Sequence, residues 1–395
     1  MIGVILILGG DALIKEITMK EIDEMIDKNN KDKAYCNRVT AELKEHGYLK
    51  SIPEANFPAR MVAEDRHAPG MVIQYPHGTV LQQEKHSYYY RGENALFGSS
   101  KPSIHRKAPD DPVDKMVYYF VAEMRIYEFQ KLIGRFNIVK KWPFDVLYRA
   151  IAQHYGIPTD WLDVTNDFEI ALFFACCKYD TETNGYRPLR AADFKEEKDI
   201  YGVLYKADSF LADLIYGSTE GKSGIMPIGF QPFMRCHRQY GYAYVMDEYE
   251  DLYDSKTFQI MKFKHSIELS ERIYNDMDGG NKIFPREGLN SIQEEINQIN
   301  KASTFSKEAF ETAYRVLNMD KHNIDIMWEL QKKGIDIRNS PVKLSRQRIR
   351  SIDRKYGGID FSKECALPPH TRLVYCPPGS DKVYLSFNHK EHPKE

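Results

Sequence analysis

The sequence is short of paired cysteines, of long apolar runs and of net charge, and each shortage removes a class of function. Its six cysteines (Cys36, Cys176, Cys177, Cys236, Cys365, Cys376) form no C-x-x-C pair and no Cys/His ligand spacing, so no metal site is expected. Cys176 and Cys177 are adjacent inside an apolar run, where they read as reduced, buried small hydrophobes and point to a reducing cytoplasm. With a formal net charge of -2 over 395 residues, bulk attraction to nucleic acid or to an anionic membrane is not expected. The apolar opening MIGVILILGG is far too short to cross a bilayer, and it lacks the basic start and small-residue cleavage site of a signal peptide. It reads as a buried strand over Val4–Leu8. Internal repeats and low-complexity linkers are missing. Gly217-Ser-Thr-Glu-Gly221-Lys222-Ser223 falls one residue short of the P-loop spacing, and no H-E-x-x-H helix occurs. Cys236 and His237 are chain neighbours whose side chains diverge, so they do not make a nucleophile pair.

Tyrosine is what the sequence has in excess: 26 Tyr beside 20 Phe offer aromatic faces with polar tips, suited either to clefts or to half-buried strand positions. The length exceeds one ordinary core, so two domains or one elaborated domain are expected. We divide the chain into an N-terminal extension (1–80), a central domain (81–285) and a mainly helical C-terminal region (286–395). In the extension, Asp11 is expected to cap a helix carrying Leu13, Ile14, Ile17, Ile22, Met25 and Ile26, which the polar run KNNKDK ends. A second short helix and a loop punctuated by Pro and Gly follow. The first core strand is expected at Ser87–Arg91. An apolar stripe of Met116, Tyr119, Phe120, Met124, Tyr127 and Leu132 predicts a helix over 112–135. A second helix, about Phe144–Tyr155, stops at Gly156 with Pro158 beyond it. A third starts near Asn166, where Asn166 to Glu169 resembles a capping box, and its body IALFFACC should be buried. Period-two segments YGVLY, YGYAYV and FQIMKF predict strands between 200 and 270. Helices return over 290–360, and LVYCP with KVYLSF predict a closing strand pair. The fold class is therefore α+β: a central mixed or antiparallel sheet with packed helices, plus the helical C-terminal region.

Three places carry chemistry. Arg91 follows Tyr88-Tyr89-Tyr90 and precedes Gly92; its planar guanidinium is either a solvated strand-end group or a fork for phosphate or carboxylate. Arg106 joins it as a candidate ligand-binding residue. His154 closes a helix at Gly156, where it either docks on the last carbonyls or faces a ligand. Between 160 and 167, Asp160, Asp163, Thr165, Asn166 and Asp167 crowd around Trp161 and Leu162 in front of a buried helix, and capping accounts for one or two of them. Further on, Arg346, Arg350 and Arg354 recur at every fourth position, with Ile349, Ile352 and Tyr356 on the other side. Such a stripe is a solvated face or a contact for nucleic acid or an acidic protein.

Taken together, Tyr90-Arg91-Gly92 and AIAQHYGIPTDWLDVTNDFEIALFFA over 150–175 resemble the FRG domain, named for a Phe/Tyr-Arg-Gly triplet and carrying an AQHYG-P-T-LD-T-ALFFA signature. The outline over roughly 85–250 also resembles an ADP-ribosyltransferase core. There Tyr90-Arg91-Gly92 matches a first motif, and Thr165 with Ala171-Leu172-Phe173-Phe174-Ala175 a second. That resemblance implies NAD as substrate, Arg91 on the diphosphate, Tyr90 or Tyr155 stacked on nicotinamide, Thr165 and Asp163 at the site, and a third motif supplying Glu or Gln. Gln239, in an Arg/Gln-x-Gly stretch, and the Glu248-x-Glu250 pair are the candidates for that catalytic position. A microbial defence or toxin effector with an unknown macromolecular acceptor is the implied role. The alternative is a non-catalytic module binding a nucleotide or another phosphate-bearing ligand, for which Arg91 and free helix N–H groups suffice. A purely structural role would instead pair Arg91 and Asp163 fully and leave no open cavity.

Overall fold

In the computed structural model, residues 14–45, 72–75, 78–81, 88–142, 146–183, 185–208, 212, 224–228 and 231–356 are described. The chain begins with β1 (Lys15–Glu16) and the long helix α1 (Met19–Glu45), then a hairpin of β2 (Val72–Tyr75) and β3 (Gly78–Leu81). The Tyr-Arg-Gly strand β4 (Tyr88–Glu93) leads to α2 (Pro112–Ile133), α3 (Asn137–Lys140) and α4 (Tyr148–His154). Strand β5 (Trp161–Thr165) runs into α5 (Phe168–Cys176), followed by the hairpin β6 (Cys177–Asp180) and β7 (Gly185–Pro188). The remaining strands are β8 (Tyr201–Asp208), β9 (Gly224–Pro227), β10 (Gly241–Val245) and β11 (Gln259–Lys264).

Seven of these strands form one mixed sheet in the order β1-β11-β8-β4-β5-β10-β9, antiparallel throughout except for the parallel β1–β11 edge. The fold is α+β, as the alternation of period-two and helical segments implied. Aromatic and β-branched residues at alternate positions fill both faces. One face takes Tyr90, Leu204, Met261 and Phe263, packed under α5, apolar but for Glu169, through Phe168, Leu172 and Phe173. The opposite face carries Tyr89, Leu162, Val164, Tyr205, Tyr242 and Tyr244. Each fully buried phenylalanine under α5 contributes on the order of 2–3 kcal/mol by removal of apolar surface from water. Tyr89, Tyr90, Tyr205, Tyr242 and Tyr244 are thus buried inside the sheet.

Beside the sheet, α2 and α4 share one core with the helix Gln293–Asn300 and with Ile349 and Ile352 of the helix Arg346–Tyr356, so this core crosses residue 285. Phe120 and Met124 of α2 pack separately against Phe305, Ala309 and Leu330. Arg346, Arg350 and Arg354 are exposed, while Ile349 and Ile352 are buried. Among the described residues, no helix is long and apolar enough to cross a membrane.

Several elements depart from the sequence reading. Helix α1 continues through KNNKDK instead of ending there, because Asn29 and Lys33 turn inward and bond to α5. Residue Asp167, not Asn166, caps α5, accepting the N–H of Glu169 at 2.9 Å and of Ile170 at 3.4 Å. The segment Trp161–Thr165, which carries Asp163 and Thr165 of the crowded stretch 160–167, is a central strand. Residues 4–8, Asp11 and the closing strand pair lie outside the described residues.

Candidate functional site

Two antiparallel neighbours of β4 hold it differently. Against β8 it forms six register pairs, from Tyr88 opposite Asp208 to Glu93 opposite Val203; against β5 it meets only at Tyr90 opposite Thr165. Beyond that pair the strands diverge, and the gap opens into a cavity of about 670 Å³. Gly92 makes the divergence compatible with packing. A Cβ at this position would stand 1.7 Å from the Ala171 carbonyl oxygen, so only glycine lets β4 rest on α5. Arg91, next to it, bridges the gap: its Nη1 donates to the Asp163 carbonyl oxygen at 3.0 Å, in place of the missing ladder bonds. Its Nε donates to Glu93 Oε1 and to Ser100 Oγ, each at 3.2 Å. Glu93 is saturated in turn, accepting from Ser100 Oγ at 2.7 Å and from the Tyr205 hydroxyl at 3.2 Å.

The cavity gathers most of the residues singled out from sequence: Tyr90, Arg91, Gly92, Arg106, His154, Asp163, Thr165 and Gln239 all line it. A smaller cavity of about 220 Å³ lies behind the helix stop, walled by Gln153, Gly156, Pro158 and Trp161. Arg91, Arg106 and Asp163 line both. Burial and the neighbouring Arg91 guanidinium pull the pKa of Arg106 below its ordinary value. Two cations therefore face one space, an arrangement that an anionic ligand relieves.

The crowded acidic segment resolves residue by residue. Asp160 accepts from Arg149 at 2.7 Å, and that guanidinium also grips Glu123 at 2.8 Å. Thr165 donates to the Gln239 carbonyl oxygen at 2.8 Å and accepts from the Asp167 N–H at 3.1 Å, tying the end of β5 to the segment before β10. Asn166 is fully buried and reaches the Tyr242 hydroxyl at 3.3 Å. Asp167 caps α5 and also receives Asn29 at 3.0 Å and Lys33 at 2.9 Å. Asp163 is left facing the cavity, with its side chain 39% exposed and its Oδ1 3.8 Å from His154 Nε2. Burial lowers the His154 pKa, Asp163 raises it and Arg235 lowers it further, with a net shift downward.

Other sequence candidates sit elsewhere. Tyr155 is buried, its hydroxyl donating to Glu287 and its ring covered by the Arg235 guanidinium 4.0 Å from the centroid, so it offers no face to the cavity. Of the two stacking candidates, Tyr90 is the one that lines the cavity. Glu248 pairs with Lys115 at 3.1 Å and accepts from Tyr119 at 3.3 Å, outside the cavity lining. Burial pushes its carboxyl up, but hydrogen bonds from Lys115 and Tyr249 outweigh that and hold it below the usual range. Glu250 accepts the Asp247 N–H at 2.8 Å, also away from the cavity. The Glu-x-Glu pair is thus consumed in a surface turn. Gln239 stays at the cavity, with its Nε2 donating to the Ile283 carbonyl oxygen at 3.1 Å. Among the described residues, no cluster of metal-ligating side chains occurs.

Sequence reasoning missed the aromatic wall. Phe97, Phe174, Tyr179 and Tyr186 line the large cavity, Tyr186 stacked on Phe284 with ring centroids 5.0 Å apart. Phe97 and Tyr179 remain 55% and 47% exposed at its rim, aromatic surface against which a planar base can pack. Phe174 was hidden within the apolar run that follows Glu169; a partly exposed aromatic in such a run is the signal that only the structure supplies.

Residues 86–184 match the family model described as the FRG domain, a span that runs from β4 past the β6 strand and ends before Tyr186 and Gln239. No curated protein and no solved structure matches the chain.

Proposed function

Because the chain carries an FRG domain over residues 86–184, we propose that this domain is an ADP-ribosyltransferase-like enzyme whose large cavity binds NAD. The observation that carries the reading is the convergence of Arg91 and Arg106 on one cavity of about 670 Å³ that has an aromatic wall. That volume lies within the range of small-molecule and cofactor sites. The charge pattern suits a diphosphate flanked by two planar rings: cations for the phosphates, Phe97, Phe174, Tyr179 and Tyr186 for a base. Arg91 is pre-oriented by Glu93, Ser100 and the Asp163 carbonyl, so little side-chain entropy is lost when it receives a phosphate oxygen. Arg106 supplies the second charge. NAD bound here would supply a pyridinium leaving group on a ribose carbon, and the ribose becomes oxocarbenium-like as that bond breaks. The residues of the chain hold the diphosphate, shield the ribose from bulk water and set a carboxylate near the developing positive charge.

A second reading, a non-catalytic module for a nucleotide or another phosphate-bearing ligand, is favoured by one observation. Glu248 and Glu250, the Glu-x-Glu pair, are spent on Lys115, Tyr119 and the Asp247 backbone. Nicotinamide release from NAD by the purified protein separates the two, with Arg91→Ala as control. The enzyme reading expects release by the wild type and its loss in a folded Arg91→Ala variant. Absence of release, even with cell lysate supplying acceptors, overturns it in favour of the binding module.

A further inference from the structure

The reaction proposed above needs a carboxylate, and the residues on the cavity walls narrow the choice to one. Among the described residues, two carboxylates line the large cavity, Glu93 and Asp163. Glu93 is 9% exposed, with one oxygen taking Arg91 and Ser100 and the other taking Tyr205. Those bonds neutralise it and fix it inside the wall. Asp163 differs in three ways. It is the acidic residue common to both cavities. It sits on β5 where that strand has β10 on one side, opposite Ala243, and where the β4 ladder has already ended. Its backbone is pinned, because the carbonyl oxygen accepts Arg91 Nη1 at 3.0 Å.

We propose that Asp163 is the reacting carboxylate of this site, with the two cavities delivering the ribose and the attacking hydroxyl to its opposite sides. This rests on the enzyme reading. Thr165 and Leu162 frame the position: Leu162 is anchored in the tyrosine-rich core, and the Thr165 hydroxyl locks the strand end to Gln239. The Asp163 side chain is thereby presented on a rigid strand between Arg91 and His154, whose buried ring stands 3.8 Å away. In the reaction, the bond from the ribose carbon to the nicotinamide nitrogen breaks and its electron pair goes to the ring, which leaves neutral. Ionised Asp163 stabilises the positive ribose. A hydroxyl, of water or of an acceptor, then forms the new bond to that carbon and gives its proton to Asp163. The half-exposed acid returns the proton to solvent, so one proton is released per turnover and no oxidant or reductant is consumed.

The test compares wild type, Asp163→Asn and Asp163→Glu in nicotinamide release from NAD and in binding of ADP-ribose by calorimetry. Asp163→Asn keeps the size of the side chain and the backbone bond to Arg91. We expect it to bind ADP-ribose within about 3-fold of wild type while its turnover falls by about 100-fold or more, as for loss of a general base. Asp163→Glu should recover part of the rate. Turnover by Asp163→Asn within about 3-fold of wild type would overturn the assignment and leave the enzyme reading standing. No turnover by wild type itself removes that reading and this inference with it.

Discussion

A methyl group added at Gly92 would lie 1.7 Å from the Ala171 carbonyl oxygen and 2.8 Å from the Ala175 nitrogen, both backbone atoms that cannot turn aside. Gly92→Ala must therefore push β4 off α5, and its cost exceeds the roughly 1–3 kcal/mol of ordinary overpacking. Thermal unfolding should show a Tm lowered by about 4 °C or more, or no folded protein, on the order expected for such a loss in a chain of this length. Gly156→Ala makes the contrast: its φ of 89° is strained for alanine, but no atom stands within 4 Å of the added carbon. That substitution should cost only about 1 kcal/mol. Among the cavity arginines, Arg106 is the cleaner probe of ligand binding. Arg91→Ala also strands the Glu93 carboxylate, which the Arg91 guanidinium meets at 3.2 Å. The tripeptide Tyr90-Arg91-Gly92 and the residues His154, Thr165 and Gln239, which line the cavity, stood out in the sequence. The aromatic wall was not, since apolar periodicity marks a side chain as buried without saying which void it borders.

At the scale of elements, the junction of α1 with α5 is a test of tertiary over local preference. Lys33 sits between Asp167 and Glu169 at 2.9 Å from each, and Asn29 donates to the same two carboxylates at 3.0 Å. Burial lowers the Lys33 pKa, but those carboxylates raise it more, so it stays charged. Lys33→Ala leaves Asp167 buried without its cation and should destabilise the fold by roughly 3 kcal/mol, as for breaking a buried pair. Denaturant unfolding measures this; an unchanged midpoint would show that α1 does not brace the start of α5. Read locally, KNNKDK is a helix terminator. Its continuation depends on two polar residues meeting partners some 140 positions away, which no local pattern reports. Strand β5 was obscured for a related reason. Its WLDVT alternation is genuine, but the capping and bridging residues Asp160, Asn166 and Asp167 on either side give the whole run the composition of a loop. By contrast α2, α5, β8, β10 and β11 were legible, because their apolar period alone decides them.

For the whole molecule, burial of titratable groups sets how stability varies with pH. His154 and His265 both have pKa values lowered from 6.5, chiefly by burial. The unfolded chain binds protons at these positions more readily than the folded one, so stability falls as pH drops below about 6.5. Glu287, whose carboxyl burial raises above 4.5, acts in the opposite sense. The double variant His154→Gln/His265→Gln should give a flatter Tm profile between pH 6.5 and 5 than wild type; parallel profiles would contradict the assignment. The core that joins α2 to the helices beyond residue 285 also spans the interval where a boundary was expected from Asp278-Gly279-Gly280 and Pro285. The positive φ of Gly279 and Gly280 makes a turn there, and the apolar contacts of Leu289, Ile292 and Ile296 continue the core across it. The most direct measurement of the central claim is calorimetric titration of ADP-ribose into wild type and Arg106→Ala. Loss of one charge-assisted contact, worth about 1.5–3 kcal/mol, predicts binding weakened about 10- to 150-fold at an unchanged Tm. Equal affinity in the two proteins, or no binding by wild type, would contradict the account.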